Sequence, residues 1–414
     1  MTFESRRLAG GRAHVKEASG LIGRDQAQRR WLRLGLEAFP KRRSAAKVPC
    51  SMAKRKTTAA RSPYLERLRA VRAEMDVREL DGLLVLDRMD QIWLTGFTGE
   101  DGAVLVTPRS VVLLTDGRFD ESADREAPWA RKVLRKTRGP EETAKQIQKA
   151  GLERVGYDPA QMTVATFTAL KKAARPATLA VASGVIGPLR EIKDRTEIRR
   201  IRAAIDCAQQ AMVALKRWLK PGQTEREIAA RLIYEMQKRG AQEASFPPIV
   251  AAGATGSLPH YEPGNRKLKK DQGLLIDWGA RVDWYISDLT RVLCVGKMSR
   301  RLEKIYAIVK EAHDQAVAAL APGKTGAEID AVARRIISKA GYGDKFMHSL
   351  GHGIGLDVHE QPRLSKLATG HPLEAGMVVT VEPGIYLPGF GGVRLESDVL
   401  VTRRGYEILS DLPM

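Results

Sequence analysis

Four acidic residues occupy matched places in two apolar stretches of this 414-residue sequence. The first stretch runs Leu274-Leu275-Ile276-Asp277-Trp278-Gly279 and resumes at Tyr285-Ile286-Ser287-Asp288-Leu289-Thr290-Arg291. The second runs Val378-Val379-Thr380-Val381-Glu382-Pro383-Gly384 and resumes at Val393-Arg394-Leu395-Glu396-Ser397-Asp398. In each, an acid closes an apolar strand at a Gly turn, and another acid follows in a second apolar strand. A carboxylate inside such a strand is costly to bury unless it is paired or bound to a cation. Four in matched positions favour cations as the partner, and two divalent ions would balance them.

Between the acid pairs lies His348-Ser349-Leu350-Gly351-His352-Gly353-Ile354-Gly355-Leu356-Asp357-Val358-His359-Glu360, which holds three of the seven histidines. Glycine on both sides permits close backbone approach, so at least one of these rings is expected to face the metal. Oxygen-rich ligation with one imidazole suits Mn, Co or Fe better than a thiolate-preferring ion, and zinc remains open. Two such ions can activate water and polarise a carbonyl. Two glycine motifs are set aside. Gly351-His352-Gly353-Ile354-Gly355 lacks the last glycine and the downstream acid of a dinucleotide loop, and Pro322-Gly323-Lys324-Thr325 lacks the first glycine of a phosphate loop. Both are read as turns.

The elements that must carry these residues show an internal repeat. Leu219 to Gly240 aligns with Leu320 to Gly341, with 9 identities over 22 positions. In both copies a Pro-Gly turn and a Thr cap lead into a helix, and strands bearing acids follow. Approximate two-fold symmetry is expected, with the four carboxylates converging on its axis. Before the first copy, Ile198, Ile201, Ile205, Ala208, Met212 and Leu215 mark a long helix that starts near Ile192 and stops at Lys220-Pro221-Gly222.

Upstream, Ser62-Pro63 reads as a helix cap with proline at the first position, followed by Leu65, Leu68, Val71 and Met75 at helical spacing. Strands are expected at Gly82 to Leu86, Ala103 to Val106 and Val111 to Leu114, and helices near Glu141 to Ala150 and Val164 to Ala174. This forms a small α/β domain without catalytic spacing, with a boundary at Gly184 to Pro188.

The chain carries 69 Lys+Arg against 49 Asp+Glu, and 43% of it is apolar, enough for two or three domains with real cores. No apolar run approaches the roughly 18 residues of a membrane-spanning helix. Cys50, Cys207 and Cys294 are scattered and odd in number, which argues against a disulfide framework and for a reducing, cytoplasmic setting. Residues 1–62 hold 16 Lys/Arg and 4 Asp/Glu, +12 of the total +20. Runs such as Lys41-Arg42-Arg43 and Lys54-Arg55-Lys56 attract phosphate nonspecifically, but a like-charge block is first a disordered tail. Met52 offers a second start, so no function is built on residues 1–51.

The sequence from about 64 to 410 resembles the M24 metallopeptidases of pita-bread fold, in particular their Xaa-Pro aminopeptidases and prolidases. The resemblance rests on the catalytic motifs above, on Trp93-Leu94-Thr95-Gly96-Phe97-Thr98-Gly99, on Thr115-Asp116-Gly117-Arg118-Phe119 and on Ile192-Lys193-Asp194. It implies an α/β (α+β) protein with three parts: a basic, disordered extension over 1–61, a creatinase-like N-terminal α/β domain over 62–187, and a pseudo-two-fold catalytic domain over 188–414. It implies Asp277, Asp288, His352, Glu382 and Glu396 as ligands of two divalent ions, manganese first, with Asp288 and Glu396 bridging. By the same resemblance, His260 and His359 contact substrate and steady the tetrahedral intermediate, His348 and Arg394 belong to the proline-specific branch, and Glu382 doubles as proton shuttle. Trp278 and Ser397 depart from the family's usual residues beside the ligands.

The implied function is hydrolysis of an N-terminal Xaa-Pro bond by hydroxide bridging the ions, in a cytoplasmic homodimer acting on peptides with proline second. An Xaa-Pro dipeptidase is the nearest alternative. Methionine aminopeptidase and creatinase fit less well, the first for want of the N-terminal domain and the second because it works without metal. The rival of another class is a metal-free pseudopeptidase that binds peptide or, through its basic tail, nucleic acid. The intact ligand set speaks against it.

Overall fold

The computed structural model of the protein describes residues 63–414, so the basic extension, Met52 and the Ser62 cap lie outside the described residues. The N-terminal part contains strands β1 (Gly82–Val85), β2 (Gly102–Val106), β3 (Val111–Thr115), β4 (Arg131–Leu134), β5 (Arg154–Tyr157) and β6 (Thr178–Val181). They form one mixed sheet in the order β4-β3-β2-β1-β5-β6. Helices α1 (Pro63–Val77), α2 (Arg88–Thr95), α3 (Asp120–Glu126), α4 (Gly139–Lys149), α5 (Val164–Ala173) and α6 (Gly187–Glu191) connect and cover it. The apolar runs of β1 to β3 are buried on both faces, as a sheet between two helical layers requires. Leu84, Leu105 and Leu114 pack against α4 and α5, while Leu83, Val104 and Leu113 face α1 and α2.

Helix α7 (Arg195–Trp218) opens the catalytic part. Its Asp194 cap bonds the amides of Thr196 and Glu197, and the Glu197 side chain returns the bond to the Asp194 amide. That capping box starts the helix after Ile192, which stays exposed and outside it. Helix α8 (Glu225–Gln237) and strands β7 (Glu243–Ala244), β8 (Ile249–Ala252), β9 (Gly273–Trp278), β10 (Ala280–Val282), β11 (Tyr285–Ile286) and β12 (Leu289–Cys294) follow. Then come α9 (Arg300–Ala318), α10 (Gly326–Lys339), β13 (Gly351–Gly353), β14 (Glu360–Leu364), β15 (Val378–Val381), β16 (Gly384–Leu387), β17 (Gly391–Arg394), β18 (Ser397–Thr402) and β19 (Gly405–Ile408).

The repeat is visible as two similar halves. In one, α7 and α8 bury Ala208, Met212, Ile228 and Leu232 against the β12-β9-β8 sheet. In the other, α9 and α10 bury Ile305, Val309, Ile329 and Ala333 against the β14-β13-β15-β18-β19 sheet and the β16-β17 hairpin. Thr224 and Thr325 both close capping boxes, with Glu227 and Glu328, and each makes an isolated bridge, to Lys267 and to Pro372. The Pro322 to Thr325 stretch is therefore a turn, as its sequence indicates.

The Gly351 to Gly355 run is not. Gly351 to Gly353 forms β13, pinned between β14 and β15. A Cβ on Gly351 would lie 2.0 Å from the Thr380 carbonyl oxygen, and one on Gly353 would lie 2.1 Å from that of Gln361. These glycines serve close approach of three strands rather than a reversal of the chain.

Candidate active site

The four acids stand at strand ends. Asp277 is the last residue but one of β9, Asp288 precedes β12, Glu382 follows β15, and Glu396 sits between β17 and β18. Antiparallel pairing of β9 with β12 sets Thr290 opposite Asp277, and pairing of β15 with β18 sets Thr380 opposite Asp398. The two sheets meet where Glu396 N donates to Thr290 O at 3.2 Å and Thr290 Oγ1 donates to Glu396 Oε2 at 2.6 Å. Asp288, His352 and Glu396 each offer a ligand atom within 4.8 Å of the others. His352 Nε2 stands 3.4 Å from Glu382 Oε1 and 3.8 Å from Asp288 Oδ2.

All nine residues singled out from the sequence line one cleft of about 470 Å³: His260, Asp277, Asp288, His348, His352, His359, Glu382, Arg394 and Glu396. Arg394 is buried, and its Nη2 donates to Asp277 Oδ2 at 2.5 Å, which removes it from the class of surface arginines. His260 and His359 remain exposed at the cleft wall. The His359 ring meets the His352 ring edge-on at 4.4 Å between centroids.

The electrostatics are unfavourable without a cation. Burial, reinforced by Glu396, Asp277 and Glu382, pushes the Asp288 carboxyl far above its ordinary range. Burial raises Asp277 as well, with Arg394 opposing it, and burial with Asp277 nearby lifts Glu396 to about 8. Glu382 is driven up by burial and by Glu396. His352 moves the other way, to about 3, because burial and His359 disfavour its imidazolium.

That neutral ring has a definite tautomer. His352 Nδ1 lies 3.1 Å from the Gly353 carbonyl, which can only accept, so Nδ1 carries the proton and Nε2 turns a lone pair toward Glu382 and Asp288. Asp277 Oδ1 is buried with no hydrogen-bond partner. Among the ion pairs of the described residues, these four carboxylates meet one permanent cation, Arg394. Converging lone pairs and an orphaned carboxylate oxygen are the donor set that divalent cations satisfy, and the oxygen-rich mix with one imidazole suits Mn, Fe or Co.

Sequence reasoning did not single out Tyr386, whose hydroxyl receives Arg394 Nη1 and approaches His348 Nε2, both at 2.8 Å. With His348 Nδ1 held by the Ser349 carbonyl, the order is Arg394 to Tyr386 to His348, and burial together with Arg394 keeps His348 neutral, near 4. Nor did it single out Thr290 as the brace on Glu396, or Glu225. The Glu225 carboxylate is fully buried on α8 and accepts from Ala252 N, Thr255 Oγ1, Tyr261 Oη and Gly264 N, pinning the loop of His260. The signal available was the Glu225 position next to the Thr224 cap.

This geometry agrees with what the chain is similar to. Residues 199–403 match metallopeptidase family M24, and residues 67–192 match the creatinase/prolidase N-terminal domain. The sequence is 34% identical to an Xaa-Pro dipeptidase of Pyrococcus horikoshii, over 83% of this chain and 97% of that one. The chain belongs to metallopeptidase family M24. Its fold is shared with an Xaa-Pro dipeptidase structure from Bacillus anthracis at TM-score 0.82 and 36% identity, covering 84% of this chain and 98% of that one. An X-Pro aminopeptidase structure from Thermotoga maritima follows at TM-score 0.78 and 32% identity, with 82% and 98% covered. The creatinase-type N-terminal domain and pita-bread catalytic domain expected from the sequence are both present, and M24 membership makes the chain a metal-dependent peptide hydrolase.

Proposed function

We propose that this M24 peptidase removes the N-terminal residue from peptides whose second residue is proline. The observation that carries the reading is the convergence of nine chemically suited side chains on one cleft. In this reading Asp277, Asp288, His352, Glu382 and Glu396 would hold two divalent ions, manganese first, with Asp288 and Glu396 as the carboxylates available to both. The ions would supply Lewis-acid polarisation of the scissile carbonyl and make water acidic enough to deprotonate near neutral pH.

The remaining work falls to the protein. Glu382, raised by burial and Glu396, is suited to take a proton from water and return it to the leaving nitrogen. His260 and His359 turn exposed rings into the cleft, where they can donate to the carbonyl oxygen as it gains charge. Burial and Arg394 keep His348 neutral at the wall, and the Tyr386 hydroxyl, itself held by Arg394, fixes its ring. Phe246, Pro247, Ile249 and Val358 form an apolar wall suited to a pyrrolidine ring, which has no amide N–H to satisfy.

Dipeptidase activity is favoured by one further residue. Arg363, the register partner of His352, lines the cleft and has no carboxylate partner among the described ion pairs. A guanidinium there suits the free carboxylate of a dipeptide product or substrate. The division at 62–187 and 188–414, a homodimeric state and a cytoplasmic location belong to the same reading. Cys207 and Cys294 as free thiols suit a reducing compartment, and no helix among the described residues is long and apolar enough to cross a membrane.

The test is hydrolysis of Ala-Pro, Ala-Pro-Ala and Ala-Ala-Ala by metal-stripped protein with and without Mn, together with Arg363→Gln. Metal-dependent cleavage of both proline peptides, with Ala-Ala-Ala spared, is expected. Arg363→Gln should raise KM for Ala-Pro about 10-fold and leave Ala-Pro-Ala within about 3-fold. Cleavage of the dipeptide alone would make the enzyme a dipeptidase, and no cleavage by folded, metal-loaded protein would contradict the reading.

A further inference from the structure

The residue after His359 carries a heavily braced carboxylate. Glu360 Oε1 accepts the amides of Leu356 at 3.0 Å and Asp357 at 3.1 Å, and Arg190 Nη2 at 2.5 Å. Its Oε2 accepts Lys193 Nζ at 3.0 Å. A Cβ on Gly355 would fall 2.8 Å from Glu360 Oε2, so the turn from Gly355 to Glu360 is folded tightly over this carboxylate. Burial would raise Glu360, but Lys193 and Arg190 outweigh it and hold the group at about 2.

Both cations come from the segment that joins the N-terminal sheet to α7. Arg190 also donates to Asp357 Oδ2 and, through Nη1, to Asp90 Oδ1 on α2, each at 2.7 Å. Lys193 is buried, and its amide donates to the Gly376 carbonyl, so the segment is fixed at both ends. The His359 ring itself makes no hydrogen bond among the described residues. Its placement depends on the backbone of this turn and on its edge contact with His352.

We propose that Arg190 is a positioning residue for His359: by joining Asp90 of the N-terminal domain to Asp357 and Glu360, it fixes the turn that presents the His359 ring to the substrate. The proposal rests on the substrate role given to His359 above. A group that must donate to a developing oxyanion loses its effect within about an ångström of displacement. The N-terminal domain, which has no side chain in the cleft lining, thereby acts on the reaction through one guanidinium.

A double-mutant cycle on full-length, Mn-loaded protein with Ala-Pro-Ala tests it. Arg190→Met should lower kcat/KM about 30-fold, mainly in kcat, and Arg190→Lys should restore part of it. In a His359→Ala background, Arg190→Met should cost no more than about 3-fold, because the group it positions is gone. Equal losses in both backgrounds would show a general structural effect and overturn the proposal. A His359→Ala enzyme as active as the wild type would instead remove the role of His359, and with it anything for Arg190 to position. If Arg190→Met does not fold, Asp90→Asn cuts only the α2 end of the chain and the same cycle is run with it.

Discussion

The two halves of the catalytic domain share a scaffold and differ in chemistry. Each opens its second helix with a Thr capping box and ends in strands that deliver two acids. The half built on α7 and α8 contributes Asp277, Asp288 and one cleft histidine, His260. The half built on α9 and α10 contributes Glu382, Glu396 and three histidines, and it also sends Arg394 across to neutralise Asp277. In return, Thr290 of the first half donates to Glu396 of the second. Duplication thus supplied the frame, and divergence placed permanent positive charge beside Asp277, the first acid of one half, while the proposed function gives proton transfer to Glu382, the first acid of the other.

The largest expected effect comes from removing that difference at Glu382. Glu382→Gln keeps the shape of the side chain and removes its proton affinity, so kcat/KM should fall about 10³-fold in steady-state hydrolysis of Ala-Pro-Ala. Asp277→Asn, at the corresponding place in the other half, should cost distinctly less. Equal losses would mean that the halves are chemically equivalent.

Cross-bracing predicts a smaller effect on stability. Breaking a buried ion pair leaves an uncompensated charge, so Arg394→Met should destabilise the metal-free protein by about 3 kcal/mol in urea denaturation. Adding Asp277→Asn to it should recover most of the loss. Additive losses would show that the two residues do not act as a pair.

The smallest effect expected is in the pH dependence of the metal-free protein. Glu396 is raised to about 8 by burial and by Asp277, above the ordinary unfolded value near 4.3. A raised carboxyl contributes stability in full below its unfolded value and loses it as pH rises through the folded one. Metal-free protein should therefore lose stability as pH rises from 5 to 8, and saturating Mn should abolish that slope. A slope unchanged by Mn would separate these acids from metal binding.

Much of this was legible in the sequence because the acids, the repeat and the histidine segment are local patterns. Acids in apolar strands and Thr caps before amphipathic helices follow from residue type and spacing alone. What was not legible lies between segments far apart in the chain. The Arg394–Asp277 pair, the Thr290–Glu396 bond and the Tyr386–His348 contact each depend on how two sheets meet. The Gly351 to Gly353 strand was missed for a related reason. Glycine reads as a turn former, and only the neighbouring carbonyls reveal that it is there for lack of a side chain.

The central claim is that the two halves share two divalent ions. Anomalous diffraction from crystals of the full-length protein saturated with Mn measures this directly. The account predicts two peaks roughly 3.5–4 Å apart between the halves, both in contact with Asp288 and Glu396. One is predicted to be completed by Asp277 and the other by His352 and Glu382. A single peak, or peaks away from this cleft, would contradict it.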